Sequence, residues 1–377
     1  MINFIKYSCK YLYKSLVIIF FLAVYKRPKF QKKNELDNFK IEKFKIKKNL
    51  YKIFQLKNGR VFTNKNDITS YITQKNFLAE GSLQFKKFDQ INSINQPLEK
   101  NITLIRGTTS FKKKIDGNVL SLLSGGAARD NFTHWFTDVI PRIILFKKKF
   151  NLNKIDIFLV PSLRHKFQIE SLRLLNISPK KLISSEKIKH IEAKKIFYTS
   201  HPCHYYPNKA QKWSFNALRN IYIPPKFKKD KKYKYIFIDR DQLKLIDKSS
   251  LKNFSSWRVL LNEDEIKDFL QSKGFKIIKP ENFSFKKQVE IFNSAEVIIS
   301  LFGAAMMMIT FCNKKAKIIE IKPKNAGNDF KNISDKLDLE HEQIKIKPIL
   351  KSSTPQNGLL FCDLDLIKKK LKKLNIK

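Results

Sequence analysis

From about residue 102, apolar runs of strand length alternate with segments of helical spacing. Residues 103–106 and 119–123 read as strands. Residues 131–146 read as a helix interrupted or kinked near Pro141, since a proline inside a helix removes a donor and crowds the preceding turn. A compact apolar strand follows at 155–160. Residues 164–176 have helical spacing through Phe167, Leu172 and Leu175. Short strands at 181–183 and 195–199 and a helix at 208–222 close the first half. The second half repeats the alternation: strands at 233–238, 275–279, 297–301 and 317–321, and helices at 263–272, 284–293 and 363–374, with Gly274 closing the first. A small-residue turn, Gly303-Ala304-Ala305, opens a further helix through Phe311. Before residue 102 the pattern is weak. There Asn58-Gly59 reads as a hairpin turn between 51–56 and Val61-Phe62.

The stretch 223–232 holds two prolines and a lysine-rich charge run with little to pack, the composition of a linker. The expected organisation is therefore an N-terminal segment over 1–30, an α/β domain over 31–223, a linker at 224–232 and a second α/β domain over 233–377. Alternating β and α on both sides of a linker predicts two doubly wound, Rossmann-like domains facing each other across a cleft.

Composition alters this picture in three places. A length of 377 residues suits two cores better than one, and 42% apolar residues suffice to build them. The net charge of +43 raises the question of a nucleic-acid partner. The lysines are spread along the whole chain, however, and no aromatic residues alternate with basic ones on a strand face, so no specific nucleic acid is expected. Lys, Asn, Ile and Phe together are also what AT-rich codons encode. Cys9, Cys203, Cys312 and Cys362 show no disulfide spacing, which favours a reducing, cytoplasmic compartment. At the N-terminus the apolar run 16–25 is flanked by Lys6, Lys10, Lys14, Lys26, Arg27 and Lys29. It is shorter than the roughly 20 residues a span needs. The readings left are an anchor lying in an anionic membrane surface and an ordinary core helix.

The chemistry is concentrated at 124–142, where Gly125, Gly126, Asn131, His134, Trp135, Asp138 and Arg142 follow an apolar strand. At about 100° per residue, Asn131, His134, Asp138 and Arg142 share one arc of a helix. That arc is either a reactive face or a packing device, with Trp135 and His134 against the sheet and Asp138 capping a second segment. Asp239-Arg240-Asp241 has a D-x-D spacing that three residues match easily by chance. His201-x-Cys203-His204 has metal-ligand residue types but no second ligand pair at zinc spacing, so it reads as a loop with ordinary side chains, and no metal is expected.

These residues resemble glycosyltransferase family 61. The resemblance lies in Gly125-Gly126, Asn131-x-x-His134-Trp135 and Asp138-x-x-Pro141-Arg142. It continues through a strand ending in Arg240, Arg258-x-x-x-Asn262-Glu263, Gly274-Phe275, Pro280-Glu281, Phe285-x-x-Gln288, Ala295 and a final strand with Glu320. It covers roughly residues 100–325. One departure stands out: the family's His-Gly-Ala turn is Phe302-Gly303-Ala304 here. The resemblance implies a GT-B fold and inverting transfer of a sugar from a nucleotide-sugar to a hydroxyl of a glycan or lipid-linked glycan, as in surface polysaccharide synthesis. It implies His134 or Asp138 as base, with Gly125, Gly126, Asn131, Trp135 and Arg142 on the acceptor side. Arg240, Arg258 and the turn at Gly303 and Ala304 would hold the diphosphate, and Glu320 a ribose diol. No cofactor is expected beyond the donor. Two rival readings stand beside it: a degenerate member that binds a glycan without turnover, because of Phe302, and a basic nucleic-acid-binding protein.

Overall fold

The computed structural model describes residues 2–31, 38–64, 68–84, 86–88, 91–93, 98–124, 129–203, 209–240, 258–352 and 354–376. The chain divides into two units, Met1–Tyr205 and Tyr206–Lys377. The division falls one helix earlier than the expected linker. Helix 212–222 belongs with the second unit because Arg219 donates to the carbonyls of Thr310 and Cys312, and Tyr222 packs against Phe285 and Phe311.

In the first unit, helix α1 (Ile2–Tyr25) precedes four strands: β1 (Phe39–Ile46), β2 (Asn49–Thr63), β3 (Ile68–Ile72) and β4 (Leu83–Gln84). A small hairpin, β5 (Lys86–Phe88) with β6 (Ile91–Ser93), follows. Strand β2 runs unbroken through Asn58-Gly59, where the sequence predicts a turn. The long strand β10 (His190–Thr199) pairs with it on both sides of that point, Ala193 opposite Gly59 and Lys195 opposite Lys57. Asn58 takes up the irregularity at φ +47, and a Cβ on Gly59 would run into the Leu56 side chain. The hairpin turn falls instead at Lys47-Lys48, between Ile46 and Asn49.

The sheet continues from β10 through β7 (Lys113–Ser121), β8 (Ile157–Val160) and β9 (Leu182–Ser184), all parallel, while β10, β2, β3 and β4 are antiparallel. The fold class is α/β, but this sheet is half antiparallel rather than doubly wound throughout. Residues 103–106, expected as a strand, form a helical turn, α2 (Thr103–Arg106), because the Asn101 side chain accepts from the Thr103 amide at 2.9 Å and starts it. Between β7 and β8 the chain runs through α3 (Phe132–His134), a π-helical segment (Trp135–Val139) and α4 (Ile140–Lys147). The expected kink at Pro141 is replaced by this wider segment, in which the Ile140 amide reaches back five residues to the Trp135 carbonyl. Helix α5 (Lys166–Arg173) links β8 to β9.

The second unit begins with α6 (Lys212–Tyr222). Its main sheet is wholly parallel and contains β11 (Tyr235–Ile238), β13 (Lys276–Ile278), β14 (Val297–Leu301), β15 (Lys317–Pro323) and β16 (Glu340–Ile346) in the order β13-β11-β14-β15-β16. Both β14 and β15 are buried along nearly their whole length, which is why they read as continuous apolar runs. Helices α7 (Glu263–Ser272), α8 (Phe285–Ser294), α9 (Asp329–Lys336) and α10 (Leu364–Lys373) connect and follow these strands. A small sheet of β12 (Arg258–Leu260), β17 (Leu350–Lys351) and β18 (Gly358–Leu360) completes the unit.

His190, at the start of β10, is fully buried and shares Nδ1–H with the Ser110 carbonyl at 2.9 Å. Burial pushes its pKa down to about 4 from 6.5. The Ser110 bond opposes this, and the Arg60 and Lys112 charges add to it. A depressed histidine is neutral in the fold and takes up a proton on unfolding, so its contribution is complete above pH 6.5 and is lost as pH falls toward 4. Wild-type protein is expected to lose on the order of 3 kcal/mol across that window from this group. Denaturant titrations of His190→Gln over the same pH range should show a correspondingly shallower slope.

Candidate active site

Parallel strands deliver their loops to the same end of a sheet, and in α/β proteins ligands bind beyond the strands' carboxyl ends. In the first unit β7 and β10 are parallel neighbours. The chain leaving β7 carries His134 and Asp138, and the chain leaving β10 carries His201 and Cys203. These four residues meet. Asp138 is buried and accepts from His134 Nδ1–H at 2.8 Å, from the Thr137 hydroxyl at 2.6 Å and from the Cys203 thiol at 3.1 Å. His201 Nε2 stands 3.7 Å from the same carboxylate. Burial alone would raise the Asp138 carboxyl. The charges of His134 and His201, with the hydrogen bonds from His134 and Thr137, outweigh it and hold the group well below the ordinary carboxylate range.

The two candidate bases are thereby separated in role. The Asp138 side chain is 5% exposed, whereas that of His134 is 19% exposed. Asp138 fixes the proton on Nδ1 and leaves Nε2 of His134 as the basic atom. Local structure supports the placement. Asn131 caps the helix, its Oδ1 accepting from the amides of Thr133 and His134, and the π-helical segment carries Asp138 inward. Trp135 and Arg142, expected on the acceptor side, lie inside the unit. Trp135 is wholly buried with its Nε1–H on Ser171 Oγ, and Arg142 is 1% exposed with Nη1 donating to the Thr199 carbonyl. They fix the helix to its surroundings. Gly125 and Gly126 lie outside the described residues.

His201 and Cys203, which by spacing read as part of an ordinary loop, are both buried. With Asp138 they offer ligand atoms within 4.8 Å of one another, and among the described residues these three are where a metal ion fits by chemistry. In the structure the Cys203 proton is shared with Asp138.

The second unit has strand order 2-1-3-4-5 when its five parallel strands are counted in chain order, so its topological switch point lies between β11 and β14. Arg240 follows the carboxyl end of β11, and Phe302-Gly303 follows that of β14. Arg240 Nη1 donates to the Phe302 carbonyl at 3.0 Å, and Arg258 Nη1 donates to the same oxygen. The Arg258 guanidinium also lies 4.6 Å from the centre of the Phe302 ring. Burial, then the neighbouring Arg240 charge, pushes Arg258 down to about 9, against the opposing pull of Glu320. A Cβ on Gly303 would run into the Arg240 guanidinium, so a larger residue here would displace that side chain. Gly303 and Ala304 open a helix of 3-10 rather than α type, Ala304–Phe311.

Glu320 lies on β15. It sits inside the sheet, with β16 outside it, and is fully buried with Gln343 Nε2 on Oε2 at 2.7 Å and His341 Nε2 at 3.2 Å. Its charge acts on Arg258. Lys322, which the sequence does not single out, is also fully buried, donates to Gly327 and Asn328, and lies 5.6 Å from the Phe302 ring centre. Asp239 is taken by Lys267 at 3.2 Å.

Removing the cap that sets His134 in place is expected to be measurable. Asn131→Ala should cost about 1 kcal/mol in a denaturant titration, while Asn131→Asp, which keeps the acceptor oxygen, should restore most of it.

No curated protein matches the sequence. The family model described as Glycosyltransferase 61 matches residues 132–319, about half of the chain, and this span takes in the His134–Asp138 pair, Arg240, Arg258, the Phe302-Gly303 turn and the start of β15. The chain therefore belongs to glycosyltransferase family 61, and the activity that membership implies is transfer of a sugar.

Proposed function

We propose that the protein is an inverting glycosyltransferase that moves a sugar from a nucleotide-sugar to a hydroxyl of a glycan or lipid-linked glycan, in the building of a surface polysaccharide. The observation that carries this reading is the convergence of Arg240 and Arg258 on one carbonyl at the switch point of the second unit. Burial away from water, and then the neighbouring Arg240 charge, weigh against the Arg258 cation, and its depressed pKa reflects that cost. A bound diphosphate removes it and gains charge-assisted hydrogen bonds in return.

In the reaction, His134 Nε2 takes the proton of the acceptor hydroxyl. The oxygen forms its bond to the anomeric carbon as the bond from that carbon to the diphosphate oxygen breaks, and the leaving charge passes to the arginines. Asp138 holds the resulting imidazolium, its role being orientation and charge compensation rather than proton transfer. Where the family has histidine, the Phe302 ring has the Arg258 and Lys322 cations 4.6 and 5.6 Å from its centre, and the backbone carbonyl that gathers both arginines does not depend on the side chain.

A nucleoside diphosphate at about a hundred times its dissociation constant is expected to raise the melting temperature by on the order of 5 °C. Arg258→Gln should abolish the shift. His134→Ala should keep the shift but slow donor turnover by about 10²–10⁴-fold. A wild-type protein that shows the shift yet hydrolyses none of a panel of nucleotide-sugars would instead favour a sugar-nucleotide-binding protein without turnover. If neither shift nor hydrolysis is seen, this reading fails.

A further inference from the structure

Among the described residues, helix α1 meets the rest of its unit mainly by one side, with Phe20 at its margin also reaching Phe111. Phe21 meets Phe111 edge-on, with ring centres 5.0 Å apart, and the Tyr25 ring meets His190 at 5.2 Å. The Lys112 amide donates to the Tyr25 hydroxyl at 3.1 Å. At about 100° per residue, the partly or fully buried residues Val17, Ile18, Phe21, Leu22 and Tyr25 form one side of the helix. Leu12, Leu16, Ile19 and Ala23 fall within about 60° on the opposite side. They make an apolar stripe facing solvent, with Leu12 61%, Leu16 57% and Ile19 63% exposed. Phe20 and Tyr13 flank the stripe. The helix contains no acidic residue, while Lys10 and Lys14 are exposed away from the stripe and Lys26, Arg27 and Lys29 follow its end. Among the described residues no helix is long and apolar enough to cross a membrane.

A cavity of about 690 Å³ opens beside the last turn of the same helix. Lys26, Arg60, Lys112, Lys114 and Lys194 line it, against Asp116 and Glu192. Both carboxylates are already engaged, Glu192 by Lys112 and Asp116 by Lys194 at 3.1 Å. The cavity therefore carries surplus positive charge at the end of the helix that bears the apolar stripe.

We propose that α1 lies in the surface of an anionic phospholipid bilayer, with the Leu12–Leu16–Ile19–Ala23 stripe among the acyl chains and the basic cavity receiving a lipid phosphate. The two halves of the surface match the two halves of such a lipid. An interfacial helix buries its apolar face at the acyl boundary and keeps lysines toward the headgroups. Exposed Tyr7, Tyr11 and Tyr13 suit that boundary, where aromatic rings with a polar tip collect. The helix is held between the body of the unit and the bilayer, which accounts for its being apolar on two opposite sides. This inference goes beyond sugar transfer and does not depend on it.

Flotation of the full chain with vesicles, in the absence of any donor, tests it. The protein is expected to float with vesicles of phosphatidylcholine mixed with phosphatidylglycerol, more weakly with phosphatidylcholine alone, and less as salt is raised. Leu12→Glu with Leu16→Glu should abolish flotation with both. Lys26→Glu with Lys114→Glu should weaken binding to the anionic vesicles by about fivefold or more per lysine while leaving the neutral ones unchanged. All four positions are exposed, so melting temperatures should stay near wild type. Wild-type protein that stays at the bottom of the gradient with anionic vesicles overturns the proposal. So does a Leu12/Leu16 variant that floats as wild type does. If instead that variant turns a dimer into a monomer in sedimentation while no form floats, the stripe is covered by a second copy and the proposal is wrong.

Discussion

Ile196 and Phe197 lie beside Val119 and Leu120 in parallel register, and Ile236–Ile238 lie beside Ile298–Ser300 in the same way. A parallel pair cannot be closed by a tight turn; each strand must pass its chain on beyond its carboxyl end and return by a crossover. Two neighbouring parallel strands therefore place two unrelated segments of sequence side by side. That constraint brings His201 and Cys203 to Asp138 across more than sixty intervening residues. It also brings the Phe302 carbonyl to Arg240 across a similar distance.

What the strands bring together is mostly charge, and it is kept out of water. Asp138, Arg258, Glu320 and Lys322 are all buried. A buried charge persists only when its hydrogen bonds and countercharge are supplied by the fold. Asp138 has such a set in full, and its depressed carboxyl reflects it. Around the arginine pair, Glu320 acts on Arg258 while Glu263 and Glu281 act on Arg240, yet burial still depresses both guanidiniums. The first unit orients an imidazole by means of a fixed carboxylate, and the second gathers two guanidiniums at one carbonyl.

The parts of this fold that depend on neighbours in sequence were legible. Helix α7 and strand β14 fall at the bounds that periodicity predicts, because three acidic residues open the helix, Gly274 at φ +80 ends it, and β14 is a short continuous apolar run. The parts that depend on distant pairing were not. Asn58-Gly59 has the composition of a turn, yet β10 pairs with β2 on both sides of it and keeps the strand unbroken. Residues 103–106 are apolar enough for a strand, but the Asn101 side chain starts a helical turn there. The site followed the same division. His134, Asp138, Arg240 and Arg258 stand out in the sequence by residue type and order. Trp135 and Arg142 stand out equally and are packing residues. His201 and Cys203 carry a faint signal, a His-x-Cys directly after a strand, which gains meaning only when β10 is placed beside β7. Nothing in the local pattern marks Lys322.

The π-helical segment Trp135–Val139 carries one residue more per turn than the α-helical pieces that flank it. Asn131 anchors the helix at one end, and Arg142, bonded to β10, anchors it at the other. Between two fixed ends, the extra residue is what turns Asp138 toward His201 and Cys203. Composition in this segment has some latitude, but length has none. Losing a single residue between 135 and 139 would restore a regular α-helix, a more stable element in isolation, and would rotate the carboxylate about 100° away from its partners. In this helix the more regular fold and the assembled site are alternatives, and the chain has kept the irregular one.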